Sequence, residues 1–499
     1  MTHALRKQPA RPAAHRHHFR TVIVGSGFSG LGMAIRLLRD GERDFVVLER
    51  AGEIGGTWRD NTYPGCRCDV PSHLYSFSFA PNPNWSSTFS PQPEILDYLR
   101  DVAKRFGVMP HVRFHTELES ADWDEDAARW RIETSQGPIT ADVLVLGQGP
   151  LAEPRMPDIP GLDGFEGAAF HSAAWDHDHD LAGERVAAIG TGASAIQFVP
   201  AIQPEVERLH VFQRTAPWVI PHRNRQMSRL ERALYSRLPI AQLAMRAGIY
   251  WGREGFVVQF RNERVRRVVE KLALRNLESQ VPDPELRRKV TPSYAMGCKR
   301  ILPTDDWYPA LMKPNVELVT EAIREVRGRS IVTADGAERE VDAIVLGTGF
   351  FVTDIPIAGR VRGREGRLLS ETWNGSPAAY KGAAVAGYPN LFFLIGPNTG
   401  LGHNSIVFMI ESQVNYVADA IRTMRRGGAA TVEVRPAAQA AYNAEIDSKT
   451  EGTVWTDGGC ASWYIDRTGR NSTIWPTFTW PFRQQTREFD EGAYALTAA

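Results

Sequence analysis

Two short runs, Gly25-Ser26-Gly27-Phe28-Ser29-Gly30 and Gly190-Thr191-Gly192-Ala193-Ser194-Ala195, each separate a β-branched apolar stretch from a helical apolar pattern. Strand, glycine turn and helix in that order leave few folds open. The first glycine allows a tight turn, the second lets backbone approach a pyrophosphate, and the third lets helix and strand pack closely, with the helix N-terminus facing the phosphates. Residues 21–24 and 31–38 supply the first strand and helix. Arg185–Ile189 leads into the second turn, where Ala195 takes the third glycine's place. The expectation is an α/β chain with two Rossmann-like dinucleotide-binding domains.

The residue closing the next strand separates the two sites. Glu49 lies 24 positions after Gly25, at the end of a strand over 44–48, and Arg214 lies 24 positions after Gly190, at the end of a strand over 209–213. A carboxylate there accepts hydrogen bonds from ribose hydroxyls and repels a 2′-phosphate, so the first site suits FAD or NAD. An arginine forks onto a phosphate, and the adjacent Thr215 adds a hydroxyl donor, so the second site suits NADP. Opposite charges in one slot point to a resident flavin and a nicotinamide dinucleotide that delivers hydride. A solvated strand-end charge is the plain alternative at each position.

Strands over 142–146 and 342–346 run into Gly147-Gln148-Gly149 and Gly347-Thr348-Gly349, where the chain is expected to cross between domains. A strand over 390–395 and a helix over 405–425 are expected to return to the first domain. The predicted division is 21–150 with 350–499 for FAD, 151–223 with 297–349 for NADP, a helical insertion over 224–296, and a disordered basic tail over 1–20. An organelle-targeting segment is the alternative for that tail, which lacks the apolar stretch of a secretory signal.

The 58 basic residues balance the 58 acidic ones, which argues against nucleic acid as a partner. No run approaches the ~18 apolar residues of a membrane span, although peripheral membrane contact stays open. The four cysteines, Cys66, Cys68, Cys298 and Cys460, have neither disulfide-scaffold density nor metal-ligand spacing. No metal and a reducing cytoplasm are therefore expected.

Two longer stretches carry a family likeness. Phe165, Gly167, His171, Trp175 and Asp176 fit F-x-G-x-x-x-H-x-x-x-W-[P/D] at every fixed position. Gly55-Gly56-Thr57-Trp58, Tyr63-Pro64-Gly65 and Asp69 fit [A/G]-G-x-W-x-x-x-x-[F/Y]-P-G-x-x-x-D. The chain resembles the type I Baeyer-Villiger monooxygenases, of the class B flavoprotein monooxygenase family. Related flavin-containing monooxygenases end the first pattern in an aromatic-Lys pair, where this chain has Trp175-Asp176.

The resemblance implies FAD, NADPH, O2 and a small-molecule ketone, with the oxygen inserted beside the carbonyl through a flavin C4a-peroxide to give an ester or lactone. It makes Asp69 the active-site carboxylate, Arg300 the arginine beside the flavin, and Lys299 the partner of Arg214 at the 2′-phosphate. Thr57, Trp58 and Tyr75 fall in the flavin shell and Trp463 against the nicotinamide nucleotide. An anionic oxidant needs a fixed cation, and arginine does not lose its proton under ordinary conditions. A structural Asp69–Arg300 ion pair is the alternative. His171 reads as a group controlling an interdomain linker rather than as a general base. Cys66-Arg67-Cys68 is too tightly spaced for an unstrained redox disulfide, and Trp455, Trp475 and Trp480 have no motif reason beyond core filling. The competing activities are nitrogen or sulfur oxygenation through the hydroperoxide and a flavoprotein sensor without turnover. Monomer and homodimer both stay open, as does the identity of the ketone.

Overall fold

The computed structural model describes residues 17–498. His18–Val24, Phe45–Leu48 and the end of Ile139–Leu146 are almost wholly buried, the pattern of strands covered on both faces. His18–Val24 lies between the other two, parallel to both. One edge continues through Val112–Arg113. Along the other, Ile139–Leu146 is shared: its first half pairs antiparallel with Arg129–Thr134, its second half parallel with Leu391–Phe393. The late segment thus returns to the first sheet, and Ile406–Gly427 packs against the helix that follows the first turn, Phe28–Arg39.

The strand begins at His18, so residues 18–20 are ordered sheet rather than tail. Thr140 donates its N–H to the His17 carbonyl at 2.8 Å, which adds a backbone bond that a composition-based reading cannot see. The rest of the expected tail, 1–16, lies outside the described residues.

The first turn is built around contact between backbones. A Cβ on Gly30 would stand 1.8 Å from the Gly25 carbonyl oxygen. Gly30→Ala is therefore expected to destabilise the flavin-loaded protein by about 3 kcal/mol or more, read as a loss of Tm and of bound flavin; unchanged values would show that the turn can open.

The second sheet is all parallel, in the order Val316–Val319, Arg208–Phe212, Arg185–Ile189, Ala343–Leu346, Ala168–His171. The chain passes between the sheets twice, and the two passages pair: Arg155 N–H donates to Gly349 at 2.8 Å and Phe351 N–H to Glu153 at 3.0 Å.

The insertion is helical, as Arg229–Arg237, Pro239–Gly255, Val257–Arg261, Glu263–Gln280 and Pro284–Val290. Ser228 with Glu231 forms a capping box, and Asn262 and Asp283 cap two more N-termini, satisfying donors that helix ends leave free. Val219–Ile220 pairs with Leu302–Pro303 where the insertion leaves and rejoins the second sheet's domain. Among the described residues no helix is long and apolar enough to cross a membrane.

Cys298 and Cys460 form a disulfide across 162 positions, which cysteine count and spacing did not indicate. Cysteines in different elements meet only through the tertiary fold.

Candidate active site

The first cradle forms where Gly27 and Gly56 bring two loops together. A Cβ on Gly56 would lie 3.1 Å from the Gly27 Cα, and Gly25 holds φ +92°, a conformation that favours glycine. Beside it Glu49 is 4% exposed. One of its oxygens accepts from the Ser26 N–H at 3.1 Å and the Ser26 hydroxyl at 2.6 Å. The other accepts from the Ala51 N–H at 2.9 Å and Arg59 Nη1 at 2.9 Å. A carboxylate offers about four acceptor positions, so a ribose hydroxyl at Glu49 would replace one of these donors. Thr57 and Trp58 lie on a single helical turn capped by Gly56. The Trp58 indole donates to the Tyr75 hydroxyl at 3.0 Å, and burial pushes the Tyr75 phenol above its ordinary pKa, keeping it protonated.

The second cradle has the same logic with opposite charge. Gly190 has φ +114°, and a Cβ on it would stand 2.4 Å from the Gly347 carbonyl oxygen. At Gly192, among the described residues and apart from its chain neighbours, no atom lies within 4 Å of a Cβ, so the turn is open on that side. Ala195 begins the helix Ala195–Ile202 and is fully buried. Arg214 is exposed and Thr215 half-buried, the latter's carbonyl accepting the Thr191 hydroxyl at 3.2 Å. Burial and the Arg214 charge together lower the pKa of Lys299, whose ammonium stands 5.1 Å from the Tyr294 ring centre. Two cations that repel one another beside an open glycine turn are the donor set an anion requires.

Between the cradles Arg300 grips Asp69 with parallel hydrogen bonds, Nε to Oδ2 and Nη2 to Oδ1, both 2.7 Å. The pair is 30% and 21% exposed at its side chains, open enough to meet a small molecule. Burial alone would raise the Asp69 carboxyl, but the charge and hydrogen bonds of Arg300, with Arg253, outweigh it and hold the pKa below the ordinary carboxylate value. The Asp69 charge in turn holds Arg300 protonated, above its ordinary pKa. The third guanidinium nitrogen, Nη1, makes a 3.4 Å contact with the Leu401 carbonyl, and the Tyr464 phenol lies beside the same guanidinium.

Arg253 is a residue that reasoning from sequence missed. It donates to the Asp69 backbone carbonyl at 3.2 Å, from the last turn of Pro239–Gly255. Its neighbour Glu254, 1% exposed, accepts from the Asn404 amide at 2.6 Å and from the Thr479 hydroxyl and N–H at 2.7 and 2.9 Å. One helix end thus delivers a cation to Asp69 and is fastened to the late segment by the next residue. Arg253 is one of 15 Arg and Lys over residues 224–296, and nothing in the sequence separates it from the solvated ones. Tyr464 was also missed. It is 1% exposed, and burial pushes its pKa up to about 12, against the Arg300 charge. The adjacent Trp463 is 42% exposed, and the disulfide ties its loop to Cys298, two positions before Arg300.

The Phe165 to Asp176 fingerprint is only partly a linker, because its middle is the edge strand Ala168–His171 of the second sheet. A Cβ on Gly167 would stand 2.2 Å from the Asp342 carbonyl oxygen and 2.7 Å from the Phe165 ring. His171, 4% exposed, accepts the Ala173 N–H at Nδ1 and packs on Phe350 of the paired passage between the sheets; burial lowers its pKa. Trp175 meets Phe170 edge-on and Phe198 at a tilt. Asp176 is exposed and accepts the Asp178 N–H. Cys66 and Cys68 are free and buried, and burial drives the Cys66 thiol up to about 12, leaving no reactive thiolate there.

Residues 22–239 match the family described as pyridine nucleotide-disulphide oxidoreductase. The chain is 55% identical to a Baeyer-Villiger monooxygenase of Streptomyces coelicolor over 96% of its own length and 93% of that protein's. A closed crystal structure of cyclohexanone monooxygenase superposes with a TM-score of 0.88 at 29% identity, covering 97% of this chain and all of that one. A steroid monooxygenase bound to NADP superposes with a TM-score of 0.85 at 32% identity, again over 97% of this chain and all of that one. The paired Asp69 and Arg300, two glycine cradles of opposite charge, and these likenesses together show that the chain belongs to the Baeyer-Villiger monooxygenase family.

Proposed function

We propose that the chain uses FAD and NADPH to insert one oxygen atom of O2 beside a ketone carbonyl, giving an ester or lactone. The observation that carries this reading is charge at one point: Arg300 binds the Asp69 carboxylate, and Arg253, bound to the Asp69 backbone carbonyl, adds a second guanidinium charge beside it. One carboxylate against two fixed cations leaves a surplus positive charge, which suits a reaction that develops negative charge on oxygen.

FAD would lie on Gly25, Gly27 and Gly30, with Glu49 at its ribose and Thr57, Trp58 and Tyr75 beyond, in a domain of 21–150 and 350–499. NADPH would lie on Gly190, Gly192 and Ala195, with Arg214, Thr215 and Lys299 at its 2′-phosphate and Trp463 over it, in 151–223 and 297–349. When bound, the two cofactors supply hydride and the activation of O2. Asp69 fixes the plane of the Arg300 guanidinium, and Nη1 holds the charge that grows on the substrate carbonyl oxygen. Phe165, Gly167, His171, Trp175 and Asp176 support the junction between the sheets. We place the enzyme in the cytoplasm, where half-buried Cys460 leaves its disulfide in reach of thiols.

Purified flavin-loaded protein given NADPH, O2 and a panel of linear, cyclic and aryl ketones with thioethers tests the reading by product identity. Esters or lactones are expected; sulfoxides alone, with no ester from any ketone, would overturn it. Arg253→Gln keeps a hydrogen-bond donor and removes the charge. It is expected to slow ester formation about tenfold at unchanged flavin reduction by NADPH. An equal loss in both rates would make Arg253 a structural residue.

A further inference from the structure

The helical insertion turns an uncharged face to solvent. On Pro239–Gly255 every exposed residue is uncharged, with Ile240 71%, Leu243 45% and Trp251 61% exposed along one stripe at helical spacing. The charged residues of that helix all point inward: Arg246 to the His73 and Ser76 carbonyls, Arg253 to Asp69, and Glu254 to Asn404. The preceding helix adds Leu230, 83% exposed. On Glu263–Gln280, exposed Val265, Val268 and Leu272 run beside exposed Arg264, Lys271 and Arg275. Single exposed apolar side chains are ordinary, but three on one face of a helix, in an insertion that also exposes apolar residues and cations side by side on Glu263–Gln280, mark a docking surface.

Charge selects the occupant. Residues 224–296 carry 15 Arg and Lys against 7 Asp and Glu, in a chain whose totals balance at 58 and 58, and the excess of cations remains when the inward Arg246, Arg253 and Glu254 are set aside. A second copy of the same face would bring like charges together, whereas an anionic lipid surface attracts them and accepts the apolar stripe. Tryptophan, with an apolar body and one polar N–H, settles at such boundaries.

We infer that the helical insertion docks this protein peripherally on an anionic lipid surface, with Ile240, Leu243 and Trp251 entering the headgroup boundary and the flanking Arg and Lys meeting lipid phosphates. The helix whose inner face holds Arg253 at Asp69 then lies on the membrane, where apolar ketones concentrate.

Flotation of full-length flavin-loaded protein with vesicles tests this, comparing phosphatidylcholine alone with phosphatidylcholine carrying about 30% phosphatidylglycerol. The anionic vesicles are expected to carry at least about tenfold more protein at low salt and to release it at about 0.5 M NaCl. Ile240→Glu with Trp251→Glu should abolish flotation while flavin content and ketone turnover in solution stay unchanged. Should that double variant misfold, the combination of Arg264→Gln, Lys271→Gln and Arg275→Gln still tests the charge, with about fivefold weaker binding expected per cation. Wild-type protein that ignores anionic vesicles would overturn the inference, as would a folded double variant that floats normally. Light scattering that shows a dimer which the double variant splits would assign the face to a second copy instead.

Discussion

Arg300→Ala is expected to lower ester formation at least about a hundredfold, with the fold, the bound flavin and its reduction by NADPH preserved. Arg300 is anchored on the Asp69 carboxylate, and its Nη1 makes a 3.4 Å contact to the Leu401 carbonyl. On the proposed reading its loss would remove the cation from the reacting oxygen without removing a core side chain. Arg300→Lys should rescue poorly, because an ammonium cannot make the two parallel bonds to the carboxylate that orient the group. The variant also leaves Asp69 with Arg253 as its one remaining guanidinium, at a backbone contact of 3.2 Å. Single-turnover mixing, first with NADPH and then with oxygen, separates the steps. An Arg300→Ala enzyme that forms ester at near wild-type rate would take this residue out of the mechanism, and one that fails to bind flavin would make the pair structural.

The second large effect concerns the choice of nucleotide. Arg214→Ala should cut kcat/KM for NADPH by about 10- to 100-fold, the worth of one charge-assisted bond to phosphate, and leave NADH nearly unaffected. Combined with Lys299→Ala, the preference for NADPH should vanish. The same substitution should not cost stability in the absence of nucleotide. Arg214 is exposed and depresses the pKa of Lys299, so the two cations repel until an anion lies between them. A structural role for Arg214 would show the opposite signature, a lowered Tm with the NADPH to NADH ratio intact. Equal use of both nucleotides by the wild-type enzyme would end the argument from the matched positions of Glu49 and Arg214.

Much of this protein was legible in its sequence because the relevant rules act over a few residues. A positive φ at Gly25 and Gly190 and the overlap a Cβ would cause at Gly30 follow from local sterics, so each turn announces itself. The two motifs named Asp69 and the fingerprint, the family resemblance named Arg300, and one spacing placed Glu49 and Arg214 at equivalent strand ends. What that reading could not supply was the company these residues keep. Glu49 is fully engaged by Ser26, Ala51 and Arg59, and the middle of the fingerprint is a paired strand because Ala343–Leu346 lies beside it. Arg253 reaches Asp69 across 184 positions, and Cys298 meets Cys460 across 162. Such pairings depend on how whole helices and sheets dock, a choice spread over many weak contacts and written in no short segment. The sequence by itself determined two nucleotide cradles of opposite charge and the chemistry they serve. Only the tertiary structure decided that a helix of the insertion would bring a second cation to Asp69 and leave its uncharged face to solvent.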